Sequence, residues 1–278
     1  MANPIMSRPD AFTRHHGPQQ RQAFPQQGYG QPQDPYGQYQ QPQGYSPYEA
    51  PARPGGVMTL DDVLAKTAIT LGAVAVAAVA AFMLIPMSLI TPAVIVSAIV
   101  GLVTVMVVAG RRVLPVGGVL FYAVVEGIFV GAFSKMFEMF YPGIVVSAVL
   151  ATFVAAGATL AAYKFFNIRV TAKFRKVVFI ATAAFAGVML VNFVLALFGV
   201  NTGLRDIGSG AGMLAIGVSL LAVILAVLNL ITDFDAVERG IAQQAPASES
   251  WRAALGITVT MVWLYVEILR ILSYFRGD

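Results

Sequence analysis

The sequence predicts an all-α polytopic membrane protein: a bundle of seven transmembrane helices behind a disordered N-terminal tail. Three observations carry that expectation. Hydrophobic residues make up 58% of the 278 positions and charged residues only 12%, where a soluble domain carries roughly 25% charged residues. Seven stretches are long and apolar enough to cross a bilayer, which takes about 20 such residues. The basic residues between these stretches are sorted to one side. So little charge cannot coat a soluble globule of this size, which argues against a soluble enzyme. The chain has no cysteine, so a disulfide scaffold, a thiolate zinc site and an iron–sulfur cluster are excluded. A net charge of +4 in so apolar a chain fits loops beside a membrane better than nucleic-acid binding.

The first element is the tail. Residues 1–58 hold 11 Gln, 10 of the 15 Pro, 5 of the 10 Tyr and both histidines. Such a segment has too little to bury to offset its ordering entropy, so disorder is expected. It lacks the early apolar stretch of a secretory signal. His15 and His16 have no third ligand nearby and read as solvated. A folded domain is expected over 59–278, starting at Thr59-Leu60-Asp61-Asp62, where Thr59 and Asp62 have the spacing of a capping box.

The spans are expected at about 65–85, 93–110, 116–138, 142–163, 177–198, 211–232 and 254–274. Pro86 and Pro92 separate the first two. Arg111, Arg112 and Pro115 follow the second, and Pro142-Gly143 follows the third. A basic loop with Lys164, Arg169, Lys173, Arg175 and Lys176 follows the fourth. The fifth and sixth are separated by 199–210, and the last loop is expected from about 233 to 251. Long continuous runs are not the alternating segments of a transmembrane barrel. The small residues Ala73, Ala75, Ala77 and Ala78 of the first span, and Ala155, Ala156, Gly157 and Ala158 of the fourth, suit close helix packing in lipid.

Glycine-rich Gly208-Ser209-Gly210-Ala211-Gly212 has no preceding strand and no following Gly-Lys-Ser/Thr, so it reads as a flexible entry to the sixth span and not as a phosphate loop. Lysines lie only at span ends or in loops, which excludes a retinal Schiff base. With no histidine in the body there is no support for nucleophilic catalysis, and no enzyme is expected. Spacing alone leaves an intramembrane aspartyl site open.

The chemical signal is a few acids in the wrong solvent. Glu126 lies about ten residues, or roughly 15 Å, into the third span, and Glu267 is at similar depth in the seventh. A charged acid at the bilayer centre costs at least about 2.5–3.5 kcal/mol, so it must pair, protonate or face water. Arg270, three residues after Glu267, is a candidate structural partner. A second cluster closes the sixth span: Asn229, Asp233, Asp235, Glu238 and Arg239, with Asp235 and Arg239 at i, i+4 spacing. Negative charge there opposes the helix dipole. Carboxylates from neighbouring helices at such a site can share a proton or bind a hard cation such as Ca²⁺.

Two segments, Leu230-Ile231-Thr232-Asp233-Phe234-Asp235-Ala236-Val237-Glu238-Arg239-Gly240 and Trp263-Leu264-Tyr265-Val266-Glu267-Ile268-Leu269-Arg270-Ile271-Leu272-Ser273, resemble the last two helices of the Bax inhibitor family, YccA-like branch, of the TMBIM superfamily. Glu126-Gly127 and Phe133-Ser134 of the third span resemble it too. The resemblance spans about residues 60–278, and the tail is similar to the variable extensions of actinobacterial membrane proteins. It implies a seven-helix bundle with the last helix central, acting as a pH-sensitive Ca²⁺ leak channel. Its switch would be a carboxylate dyad at Asp233 and Glu267, with Asp235 as the substitute. The seventh-helix acid is Glu where the family usually has Asp, and the loop before it looks longer. No cofactor is implied beyond Ca²⁺ and H⁺ as moving or gating ions. The competing class is an interaction protein that regulates a membrane protease or stress response, with the tail recruiting the partner. A proton-coupled transporter using Glu126 is less favoured, since no internal repeat is evident.

The loop charges set the expected topology. Arg53, Lys66, Arg111, Arg112, Lys164, Arg169, Lys173, Arg175, Lys176, Arg239 and Arg252 fall on one side, and Lys135, Arg205 and Arg276 on the other. In a plasma membrane this puts the N-terminus in the cytoplasm and the C-terminus outside. A C-terminal reporter that works only in the cytoplasm should therefore be silent, and an active one would reverse the topology.

Overall fold

Thr59 begins the ordered helices as its spacing predicts. Its hydroxyl accepts a hydrogen bond from the Asp62 amide at 3.2 Å, while Asp61 and Asp62 occupy the positive first turn. In the computed structural model, residues 56–166, 168–208 and 210–276 are described. Helix α1 is Leu60–Leu84, and a single 3₁₀ turn, Met87–Leu89, follows Pro86. Then come α2 (Ile90–Ala109), α3 (Val116–Phe140), α4 (Ile144–Phe165), α5 (Ala172–Leu197), α6 (Met213–Ala242) and α7 (Glu249–Phe275). Seven helices among the described residues are long and apolar enough to cross a membrane. Among the described residues there is no strand, only an isolated bridge from Val57 to Pro246. The expected tail falls outside the described residues as far as residue 55, as do His15 and His16.

The helix ends have local causes. Pro115 precedes α3. Glu138, near the end of α3, accepts from the amides of Gly143 (2.5 Å) and Val145 (3.1 Å) and so caps α4. Thr171 caps α5 by accepting from the Phe174 amide at 3.1 Å.

One expected boundary is corrected. Helix α6 runs on to Ala242, past the anticipated end at 232, and α7 starts at Glu249, so the expected 233–251 loop shrinks to residues 243–248. The extra turns have their own apolar stripe: Val237 and Ile241 pack with Met58, Val63 and Ile257. Residues 56–58 strap across the short connection, with the Met58 amide donating to the Ala245 carbonyl at 2.8 Å. The polar residues after 232 hid this continuation, because their partners, Thr260 for Asp233, Arg175 for Asp235 and Tyr163 for Glu238, come from other helices.

Helix α7 is the axis. Of its most apolar window 61% is buried, against 6% for α5. It packs on α1, α3, α4 and α6, whereas α2 leans chiefly on α3 and α5 on α6. Lipid tails are as apolar as leucine, so polar contacts and close packing must hold such a bundle. A seam of hydroxyl contacts runs along α7. Thr258 meets Thr70 of α1 at 2.8 Å, Tyr265 meets Ser134 of α3 at 2.6 Å, and Tyr274 meets Ser219 of α6 at 2.9 Å. Phe133, Phe137, Ile144, Ala148 and Leu269 fill the space between α3, α4 and α7.

The α1–α3 contact depends on glycine. A Cβ on Gly127 would lie 2.5 Å from the Val74 carbonyl and 2.6 Å from the Ala77 Cβ; one on Gly131 would strike Ala78 backbone and the Ala81 Cβ. Gly127 and Gly131 thus form a small-xxx-small interface with the alanines of α1. The small residues of α4 act differently: a Cβ on Gly157 meets nothing within 4 Å. Gly127→Ala should therefore lower stability by about 1–3 kcal/mol through overpacking, while Gly157→Ala should be neutral or slightly stabilising. Thermal unfolding of the two variants in detergent checks this.

Candidate functional site

Two ends of the bundle hold the candidate residues. The basic end carries the start of α1, the end of α6 and the start of α7; the far end carries the α5–α6 connection and the end of α7.

At the far end sits Glu267, 2% exposed on the central helix. Its partner is Arg205 of the α5–α6 connection. Arg205 Nη2 donates to Oε1 at 2.6 Å and Nη1 donates to Oε2 at 3.1 Å, a two-pronged fork. The anticipated partner, Arg270, is more loosely placed: its Nε is 4.0 Å from Glu267 Oε2, and Nη1 donates to the Arg205 carbonyl at 2.7 Å. The Arg270 guanidinium also lies 5.8 Å from the centre of the Phe133 ring. A cavity of about 590 Å³ opens beside this group, lined by Phe133, Phe137, Asn201, Arg205, Asp206 and Arg270 among others.

The connection that delivers Arg205 is tied by hydrogen bonds to itself and to α5. Asn201 donates to Asp206 at 3.2 Å and accepts from the Gly203 amide at 2.9 Å. The hydroxyl of Thr202 donates to Asn192 of α5. The glycine-rich run after it, expected to be flexible, contains an anchor. Gly208 has φ +80°, its amide donates to Ser273 Oγ at 3.3 Å, and any Cβ there would strike the Tyr141 hydroxyl.

Toward the basic end, Asp233 of α6 accepts from the Thr260 hydroxyl of α7 at 2.7 Å. Asn229 donates to Thr182 of α5 at 2.7 Å. Asp235 points elsewhere, as a continued helix requires. It accepts from Arg239 Nε at 2.7 Å and lies 3.5 Å from Arg175 of α5. Glu238 accepts from the Tyr163 hydroxyl at 2.7 Å. Glu126 is partly buried on α3, one turn after buried Tyr122. Its carboxylate fills the space a side chain at Gly101 of α2 would take, with Oε2 3.1 Å from that Cβ position.

Asp233 and Glu267 therefore have separate partners, Thr260 for the one and Arg205 for the other. Thr260, which Asp233 touches, and Glu267 are seven residues apart on α7, about 10 Å of helical rise. Asp235 is engaged with arginines, and no bond joins Glu126 to either acid among the described residues. Nor do three histidine or carboxylate side chains converge on a metal site among the described residues. Sequence reasoning missed Arg205 as a ligand of Glu267. Its one signal was its place among the few cations of the less basic side.

Arg205→Gln should expose the cost of a lone buried carboxylate. A loss of about 3 kcal/mol is expected, the low end for buried pairs because Arg205 keeps some contact with water. Adding Glu267→Gln should restore much of it. A double-mutant cycle of thermal unfolding in detergent reads both effects.

A family described as Bax inhibitor 1 like matches residues 3–277. The match reaches into the tail, further than the motif resemblance over 60–278. No curated protein matches the chain. Seven apolar spans among the described residues, the last of them the most buried, agree with that match, and the chain is a multi-pass membrane protein that belongs to the Bax inhibitor 1 like family.

Proposed function

We propose that this protein is a pH-sensitive cation leak channel, conducting Ca²⁺ between α6 and α7 past Asp233 and Glu267. One observation carries the reading. Glu267 is a carboxylate almost without exposure on the central helix, and its main partner comes from a connection instead of a packed helix. A purely structural buried ion pair is commonly no more stabilising than apolar residues of the same volume. An intramembrane acid is by default a functional group.

The mechanism follows from the partners. The Arg205 guanidinium occupies the position a cation would take on Glu267, so this arrangement is the closed one. Withdrawal of the α5–α6 connection frees two hard oxygen ligands, suited to Ca²⁺. The next oxygens toward the basic end are those of Asp233 and Thr260. A channel whose switch brings Asp233 and Glu267 into one dyad would need α6 and α7 to slide or α7 to turn. Both carboxylates bind a cation only when deprotonated, so acidification removes the site and lowers flux. The plasma membrane and a cytoplasmic N-terminus are proposed from the loop cations alone.

Ca²⁺ flux into proteoliposomes from pH 5 to pH 8 tests this. Flux should rise with pH in the unaltered protein and fall to the level of empty liposomes in Asp233→Asn with Glu267→Gln. Arg205→Gln should conduct more at each pH. Flux unchanged by the double substitution would sink the channel reading. Deletion of residues 1–55 should leave conduction intact; its loss would favour a role for the tail in recruiting a protein partner such as a membrane protease.

A further inference from the structure

The end of α4, the connection after it and the start of α5 bear cations that form no pair within the fold. Lys164, Arg169, Lys173 and Lys176 are exposed, and none makes a hydrogen bond, ion pair or ring contact with a described residue. Arg175, in the same stretch, is the exception and reaches Asp235. Lys164, in the last turn of α4, suits that helix's dipole, but helix stability does not account for the others. Lys173 and Lys176 sit in the opening turns of α5, where the dipole disfavours positive charge and no acid compensates it.

The surroundings are equally specific. Lys164 and Arg169 line a cleft of about 570 Å³ with Tyr163, Ile168 and Val170. Two acids line it as well: Asp235 is paired with Arg239 and Arg175, and Glu238, which accepts from the Tyr163 hydroxyl, sets one negative charge against the two cations. Beside the cations, Phe165, Phe166 and Phe179 are 81%, 79% and 72% exposed. Large apolar side chains next to unpaired cations at the end of a span match the boundary between acyl chains and headgroups. The adjoining helix α5 has almost no buried surface of its own, so this boundary is continuous with a face open to lipid.

We propose that this connection binds the phosphodiester headgroup of an anionic phospholipid. Lys164 and Arg169 receive the phosphate at the cleft, Lys173 and Lys176 close on it from the start of α5, and the exposed phenylalanines rest in the acyl region. Clusters of four or more Lys and Arg beside a span have this selectivity for anionic lipid. The site is independent of Asp233 and Glu267 and does not rest on the channel reading.

The test uses the full chain in a neutral detergent. Retention of phosphatidylglycerol and of phosphatidylcholine is measured by native mass spectrometry, with and without millimolar inorganic phosphate. Each cation near a surface contributes about fivefold in affinity, so phosphatidylglycerol should be held at least about tenfold more strongly. The variant Lys164→Gln, Arg169→Gln, Lys173→Gln, Lys176→Gln should bring the preference below about twofold. The variant Arg111→Gln, Arg112→Gln removes two other exposed cations of the same end and should keep it. Equal retention of the two lipids, a preference that survives the fourfold substitution, or an equal loss in the control variant would overturn the proposal. So would full displacement of the lipid by inorganic phosphate, which would mark a site for free anions.

Discussion

A carboxylate inside a bilayer has no water to answer it, and Glu267 shows how this chain meets that constraint. The residue lies on the helix with the most buried surface and is itself almost without exposure. Compensation comes from Arg205, which enters from the α5–α6 connection and grips both carboxylate oxygens. That single interaction sets conditions for much of the far end. The connection must be ordered to deliver the arginine, so Asn201, Gly203 and Gly208 fold it back on itself and on Ser273. Arg270 must then be held by the Arg205 carbonyl and the Phe133 ring, since Glu267 is already taken.

The rest of the bundle follows from the weakness of apolar attraction in lipid. Helix α7 is stitched to its neighbours by Thr258, Tyr265 and Tyr274, each meeting a hydroxyl on a different helix. Pairs of this kind average about 0.6 kcal/mol in a membrane, so orientation is set by several of them acting together. Where no hydroxyl pair is available, at α1 against α3, glycine brings the backbones close enough for dispersion to act. The seam and the glycine contact together leave α7 enclosed, and that enclosure is why Glu267 is desolvated.

The two ends of the molecule use charge differently. At the far end two guanidinium groups converge on one buried carboxylate, an arrangement with high local stakes and little screening. At the basic end some charges are consumed in joining helices, as Asp235 joins α6 to α5 and Tyr163 joins α4 to Glu238. Others, on either side of the α4–α5 connection, are exposed and make no pair with a described residue. The same residue types thus join helices in one place and stay exposed in another according to what surrounds them.

Much of this was legible in the residues alone. Apolar run length settles how many helices cross, because a bilayer has one thickness and each span must match it. Thr59 and the prolines mark helix ends through local backbone chemistry, which sequence carries in full. Glu126 stands out because depth in a span is simply a count of residues; Glu267, expected at similar depth, lies nearer the far end because α7 starts at Glu249. Partners are another matter. That Arg205 and not Arg270 takes Glu267 depends on how a connection folds over the bundle's end, and the two residues are 62 positions apart. The length of α6 was hidden for a similar reason: its last turns look solvated until Arg175, Tyr163 and Met58 are brought to them from elsewhere in the chain. The separate partners of Asp233 and Glu267 likewise depend on the register of α6 against α7, which side-chain contacts between helices set. Sequence by itself determined which groups must be compensated, since desolvation is a property of depth. Only the tertiary structure decided what compensates them, since that depends on which distant segments packing brings within hydrogen-bond reach.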